Sequence, residues 1–203
     1  MGLPKPNEYW TVEEYLEFEK TSPIRHEYVD GELYAMAGES KNHNRIAGRI
    51  YSILDQHLAG SRCEAFIENV KVRVRPSLYY YPDVVVTCEP EAVVEDGDDY
   101  VIDDPVLIVE VLSKSTARTD RTEKLREYQN LPNLREYLIV SQYHLQAEVY
   151  RRQNAGEDWT KQIYGDLQSE IHFDSIGLKV SLADIYKRVR FSENVPEMER
   201  EER

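Results

Sequence analysis

The chain has 203 residues, 41% of them hydrophobic, enough for one domain with a sizeable core. A formal net charge of −13 argues against a protein that holds polyanions by charge alone. No apolar run reaches the roughly 18 residues of a membrane span, and the opening "MGLPKPNEYW" lacks an apolar signal core, so a cytoplasmic location with no membrane partner is expected.

Residues 11–20, "TVEEYLEFEK", read as a short helix, with Thr11 and Glu14 forming a capping box. "RHEYVDGELYAM" follows as a hairpin that turns at Asp30-Gly31. Ser40 caps a helix expected over 41–59, with Ile46, Ile50, Ile53, Leu54 and Leu58 as its apolar stripe and Gly60 as its stop. Strands are expected at 62–67 and 69–75. In "NVKVRVRP", Val70, Val72 and Val74 should face inward and Lys71, Arg73 and Arg75 outward. "YPDVVVTC" reads as a buried strand starting near Tyr81. Cys63 and Cys88 form no CxxC motif and are read as reduced strand residues.

Residues 89–104 carry eight acids and no Lys or Arg, and 193–203 carry five acids and two arginines. The rest of the chain is therefore nearly neutral. Both segments read as solvated surface, and the tail 192–203 is expected to be disordered beside a single domain over 1–191. Between them, "PVLIVEVL" is a strand buried on both faces with Glu110 in its middle. "TDRTEKLREYQNL" is a helix from Thr119 or Asp120 that Pro132 ends, and "REYLIVS" is another buried strand. The strand–helix–strand unit should cross over right-handed, making 105–112 and 136–141 parallel. "LQAEVYRRQ" and "WTKQIYG" read as an antiparallel addition and "SLADIYKRV" as a last helix. The fold class is α+β (a mixed α/β sheet) with helices on both faces.

Two acids, Asp83 and Glu110, sit in or beside the most apolar strands. Carboxylates brought together from neighbouring strands repel unless a divalent cation, a lysine or a shared proton lies between them. A plainer reading of Glu110 is a core carboxylate paired with a buried Arg or Lys. For Asp83 it is a strand-entry turn residue. The five histidines show no zinc-site spacing, and no nucleotide-loop or serine-hydrolase motif is present, so no nucleotide cofactor is expected.

Pro82-Asp83, followed by Glu110 between apolar residues, resembles the PD-(D/E)xK nuclease superfamily. That pattern places a lysine two residues after the second acid, where this chain has Leu112. "YYYPDVVV", "PVLIVEVLSKST" and "DRTEKLREYQNL" before "REYLIV" are similar to the Uma-type family of restriction endonucleases, in which the lysine has moved to the following helix, here Lys124. The "HEYVDGE" hairpin and "NHNRIAGRI" helix add to the likeness, which spans roughly 8–150. It implies a restriction-endonuclease-like core and a Mg²⁺-dependent endonuclease (Mn²⁺ substituting) acting on DNA. By the same likeness, Asp83 and Glu110 would bind metal and Lys124 would complete the catalytic set.

Spacing supports Lys124 over Lys114, which would lie roughly 13 Å along an extended strand from Glu110. Asp120, Lys124 and Tyr128 share one helix face at i, i+4, i+8. Asp120 also reads as a helix cap, and Tyr128 as a core residue. Glu27 and His43 match recurrent family positions, for metal or water and for phosphate. Their plainer readings are a cross-strand contact and a helix-start surface. Lys71, Arg73 and Arg75 are candidate phosphate contacts, with Arg45, Arg49, Arg118 and Arg121 in support. Cutting both strands of DNA implies a homodimer, for which "YYY" at 79–81 offers exposed aromatics. The rival readings are a non-catalytic interaction module that keeps the fold and a metal-dependent hydrolase of RNA.

Overall fold

A computed structural model describes residues 9–88 and 100–191. The acidic tail, and all of the acidic excursion but its end at 100–104, lie outside these residues.

Helix α1 (Val12–Thr21) opens on the expected capping box: Thr11 accepts from the Glu14 amide, and Glu14 accepts from the Thr11 amide. Strands β1 (His26–Val29) and β2 (Glu32–Ala35) pair across Asp30 and Gly31, which both take positive φ, 49° and 98°. A two-residue turn of this kind matches the strands' twist and fixes their register. It sets Glu27 directly opposite Tyr34. A Cβ on Gly31 would fall 2.7 Å from the Tyr9 ring. Gly31→Ala is therefore expected to cost more than about 1 kcal/mol in urea unfolding, since strain and clash act together.

Helix α2 (Lys41–Leu58) is capped by Ser40 and buries Ile46, Ile50, Leu54 and Leu58, while Ile53 is only partly buried. After it come β3 (Glu64–Ile67), β4 (Lys71–Arg75), β5 (Leu78–Tyr80), β6 (Val84–Thr87), β7 (Val101–Ile102) and β8 (Pro105–Leu112). The expected helix after β8 begins earlier, at Ala117. It runs as α3 (Ala117–Thr119), a π turn (Asp120–Lys124) and α4 (Leu125–Tyr128). Strands β9 (Glu136–Ser141), β10 (Ala147–Arg151), β11 (Thr160–Tyr164), β12 (Glu170–Phe173) and β13 (Leu178–Ser181) lead to a single-turn α5 (Leu182–Ile185).

The strands form a six-stranded sheet, β11-β10-β9-β8-β6-β3, a five-stranded sheet, β2-β1-β5-β4-β7, and the β12–β13 pair. The central sheet is mixed: β8 and β9 run parallel and their neighbours antiparallel, as the strand–helix–strand unit requires. Alternation along β8 splits the core. Leu107, Val109 and Val111 pack toward α2. Ile108 and Leu112 pack toward Tyr128, Leu131 and the second sheet. Glu110 has the parity of Ile108 and Leu112, so it faces the helix that follows its strand.

Several expectations need correction. Cys63 and Cys88 are joined as a disulfide. The β3–β6 register pairs Glu64 with Thr87, and one step further sets the two cysteines opposite each other. The cysteines therefore lend no support to a reducing compartment. Tyr79, Tyr80 and Tyr81 are 2–4% exposed, so they offer no surface to a second subunit. Lys71 does not point outward. It is buried, with its ammonium 5.8 Å from the Tyr81 ring centre and 5.7 Å from that of Tyr100, where β7 covers the strand. Strand β6 begins at Val84, three residues after Tyr81. Among the described residues no helix is long and apolar enough to cross a membrane.

Candidate active site

The site lies where the two sheets and the β8–β9 crossover helix meet. Antiparallel pairing of Val84 with Val109 and Val85 with Ile108 extends by one step to Asp83 and Glu110. Residues directly opposite in such a pair point to the same side, with Cβ atoms roughly 4.5–5.5 Å apart. Pro82 suits a strand entry because it has no amide to give the ladder. The Asp83 carboxylate accepts from the Val111 amide at 2.6 Å, which locks it beside Glu110.

Lys124 comes from the π turn. Its side chain crosses back to the sheet, with Nζ 3.0 Å from Glu110 Oε1, 2.8 Å from Glu27 Oε1 and 3.5 Å from Asp120 Oδ1. It also stands over the Tyr80 ring at 5.2 Å. Tyr128, one turn on, donates its hydroxyl to Glu110 Oε1 at 3.1 Å. Asp120, Lys124 and Tyr128 are all buried, as residues sharing one inward face should be. π turns inside helices often mark functional sites, because the wider ring re-aims the side chains that follow. The Tyr137 hydroxyl donates to the Asp120 carbonyl and braces that turn.

Glu27 reaches in from β1, and its Oε1 also accepts from the Tyr81 amide at 3.4 Å. His43, on the first turn of α2, is 3% exposed and brings Nε2 within 3.2 Å of Asp83 Oδ2 and 3.9 Å of Glu39. The structure thus gathers Glu27, His43, Asp83, Glu110, Asp120, Lys124 and Tyr128 at one place. It does not bring the candidate phosphate contacts there. Lys71, Arg73 and Arg75 do not line the cavity; Arg73 pairs with Asp103 at 2.6 Å, and Arg75 grips both Asp30 oxygens at 2.6 and 2.7 Å.

The electrostatics follow from crowding. Burial pushes the Glu110 carboxyl well above the usual range, with Asp120, Asp83 and Glu27 adding to the rise and Lys124 opposing it. Burial likewise raises Asp120 to about 6. For Lys124 burial favours the neutral amine, but Glu110, Glu27 and Asp120 outweigh it and hold the group firmly as an ammonium. His43 is desolvated too, yet its bond to Asp83 raises its pKa overall.

Asp83 and Glu110, opposed on neighbouring strands, are the donor type that a hard divalent cation takes. Three acids, Glu27, Glu110 and Asp120, contact one lysine, and a fourth, Asp83, stands opposite Glu110. Asp120 Oδ1 is buried with no hydrogen-bond donor beyond its ion contact, and His43 Nδ1 is buried without a partner. Among the described residues no three Asp, Glu, His or Cys side chains are placed to hold a metal ion together. Two opposed carboxylates with waters completing the shell are what Mg²⁺ commonly takes.

Glu27, His43, Asp83, Glu110 and Lys124 line a cavity of about 370 Å³. Its wall includes Tyr34, Met36, Glu39 and Glu123, which the sequence reading passed over. Tyr34 was accessible in principle: the Asp30-Gly31 turn sets it across from Glu27.

A solved structure described as a putative nuclease belonging to DUF820, from Anabaena variabilis, shares the fold with a TM-score of 0.72 over 87% of this chain and 97% of that one, at 16% identity. Two curated relatives come from Synechocystis sp. "Uncharacterized protein slr1290" is 38% identical and spans 88% of this chain and 92% of its own. "Uncharacterized protein sll1609" is 32% identical and spans 80% and 92%. The Uma2 family model, "Putative restriction endonuclease", matches residues 12–183. With most of its length matched and relatives at this identity, the chain belongs to the Uma2 family.

Proposed function

We propose that this protein is a Mg²⁺-dependent endonuclease that hydrolyses DNA phosphodiester bonds, with Mn²⁺ able to substitute. The carrying observation is Lys124: a helix delivers its ammonium onto Glu110, whose strand partner is Asp83. Asp83 and Glu110 would hold the cation, which when bound supplies charge neutralisation at the phosphate and a more acidic water. Lys124, kept charged by its acids, cannot take a proton. Its task is to donate to the attacking water or to a phosphate oxygen and to offset charge in the transition state. Proton acceptance therefore falls to a carboxylate, and Glu110, 3.0 Å from the Lys124 ammonium, is the candidate. Tyr128 orients Glu110. His43 steadies Asp83.

The test is cleavage of supercoiled plasmid and of oligonucleotides with Mg²⁺ or Mn²⁺, beside Asp83→Ala. Metal-dependent cleavage that falls at least about 100-fold in the variant is expected, in line with loss of a residue acting on the reacting atoms. Cleavage that survives in Asp83→Ala would take Asp83 out of the chemistry, and a protein that neither cleaves nor binds divalent metal would favour the non-catalytic module.

A further inference from the structure

The cavity's walls differ in kind. One side carries the acids and Lys124. The other is the β1–β2 hairpin, with Val29, Tyr34 and Met36. Strand β2 is an edge strand, and Tyr34 stands on it 51% exposed. Its place is fixed by the hairpin register: it is the direct cross-strand partner of Glu27, the residue nearest the Lys124 ammonium. An open aromatic ring therefore sits one strand spacing from Glu27, the carboxylate that contacts Lys124.

Size and charge narrow what can enter. A cavity of about 370 Å³ is small among ligand pockets, which run roughly 300–1,000 Å³, and it cannot take the width of a duplex. Duplex binding draws mainly on rows of Lys and Arg along the phosphates. Among the described residues, the lining acids Glu27, Glu39, Asp83, Glu110 and Glu123 stand against Lys124 as the one lysine or arginine of the wall. Arg73 and Arg75, which do not line it, are paired with Asp103 and Asp30. The exposed Tyr34 in this wall offers recognition by a ring face, the mode in which bases of a single strand stack on aromatic side chains regardless of sequence.

We propose that the cavity receives one unpaired nucleotide of a DNA strand, with its base stacked on Tyr34, so that the substrate is single-stranded or splayed DNA rather than intact duplex. This deepens the nuclease reading and rests on the same site. Tyr34 is the residue that selects the strand. The acids of the opposite wall make binding depend on a divalent cation.

The experiment is fluorescence anisotropy of the full chain with labelled DNA single strand, forked duplex, blunt duplex and an RNA strand of the same sequence. Ca²⁺ replaces Mg²⁺ so that binding is read without turnover, and cleavage is scored separately with Mg²⁺. DNA single strand and fork should bind at least about tenfold tighter than blunt duplex, and only with divalent cation. Tyr34→Ala should lose about tenfold on the single strand, the order expected for one stacked base, while Tyr34→Phe keeps it. Duplex bound as tightly as single strand, RNA bound more tightly than DNA, or no change in Tyr34→Ala would each overturn the inference. Strand-selective binding without cleavage would uphold it and remove the nuclease reading. Cleavage of duplex and single strand alike would do the reverse.

Discussion

Glu110→Gln is expected to abolish metal-dependent cleavage while leaving the metal-free protein within about 1 kcal/mol of wild type, or above it. In an isolated buried ion pair the same change would strand the cation and cost roughly 3–5 kcal/mol. Lys124 is not in that position, because Glu27 at 2.8 Å and Asp120 at 3.5 Å still face it. The glutamine carbonyl can accept the bonds that Lys124 and Tyr128 now give to Oε1. One of four crowded carboxylates disappears, which offsets the lost attraction to Lys124. Divalent metal is the sharper readout. At a concentration of 100 times its Kd it should stabilise wild type by about 2.7 kcal/mol, a rise of about 5–10 °C in Tm for a chain of this size. That rise should vanish in Glu110→Gln. A variant that melts far below wild type, with wild type indifferent to Mg²⁺, would leave Glu110 as a structural ion-pair partner.

Removing Lys124 should have the opposite effect on stability. Lys124→Met is expected to cost roughly 3–5 kcal/mol at pH 7.5, since it leaves Glu27, Asp83, Glu110 and Asp120 facing one another. The loss should shrink on acidification. Asp120 already titrates near 6 in the folded state against 3.8 for an ordinary aspartate, and burial also raises Glu110. A carboxyl whose folded pKa is raised binds its proton in the native state first, so its stabilising share is present at low pH and is lost as pH rises through the folded value. Without the ammonium both groups shift further up, and the window from about pH 4 to 6 widens upward. Thermal melts at pH 7.5 and 5.5 should show the variant closing much of its gap to wild type at the lower pH. A deficit equal at both values would mean that Lys124 contributes packing rather than charge. Cleavage should be lost at either pH.

Much of the site could be read from residue order, because it is built from local patterns. The Asp30-Gly31 turn fixes a register, the Thr11–Glu14 box starts a helix, and unbroken apolar runs mark β6, β8 and β9 as doubly covered strands. A lone glutamate in such a run is conspicuous for an energetic reason: its burial must be compensated. The i, i+4, i+8 spacing likewise put Asp120, Lys124 and Tyr128 on one face.

Other features depended on partners distant in the chain. The alternation of "KVRVR" predicted an outward Lys71, but periodicity says only which residues share a side, and what covers that side is set by β7 and Tyr100. Tyr79–Tyr81 read as an exposed aromatic run and are buried between sheets, since a three-residue strand gives no periodic signal. The cysteines, 25 residues apart, meet only through the β3–β6 register. The sequence alone determined the apolar strands, the turn, the caps and the acid that cannot be buried unpaired. Only the tertiary structure decided that a π turn aims Lys124 at three carboxylates and that an edge-strand tyrosine shares their cavity, because those contacts form between segments whose spacing in the chain carries no record of their distance in space.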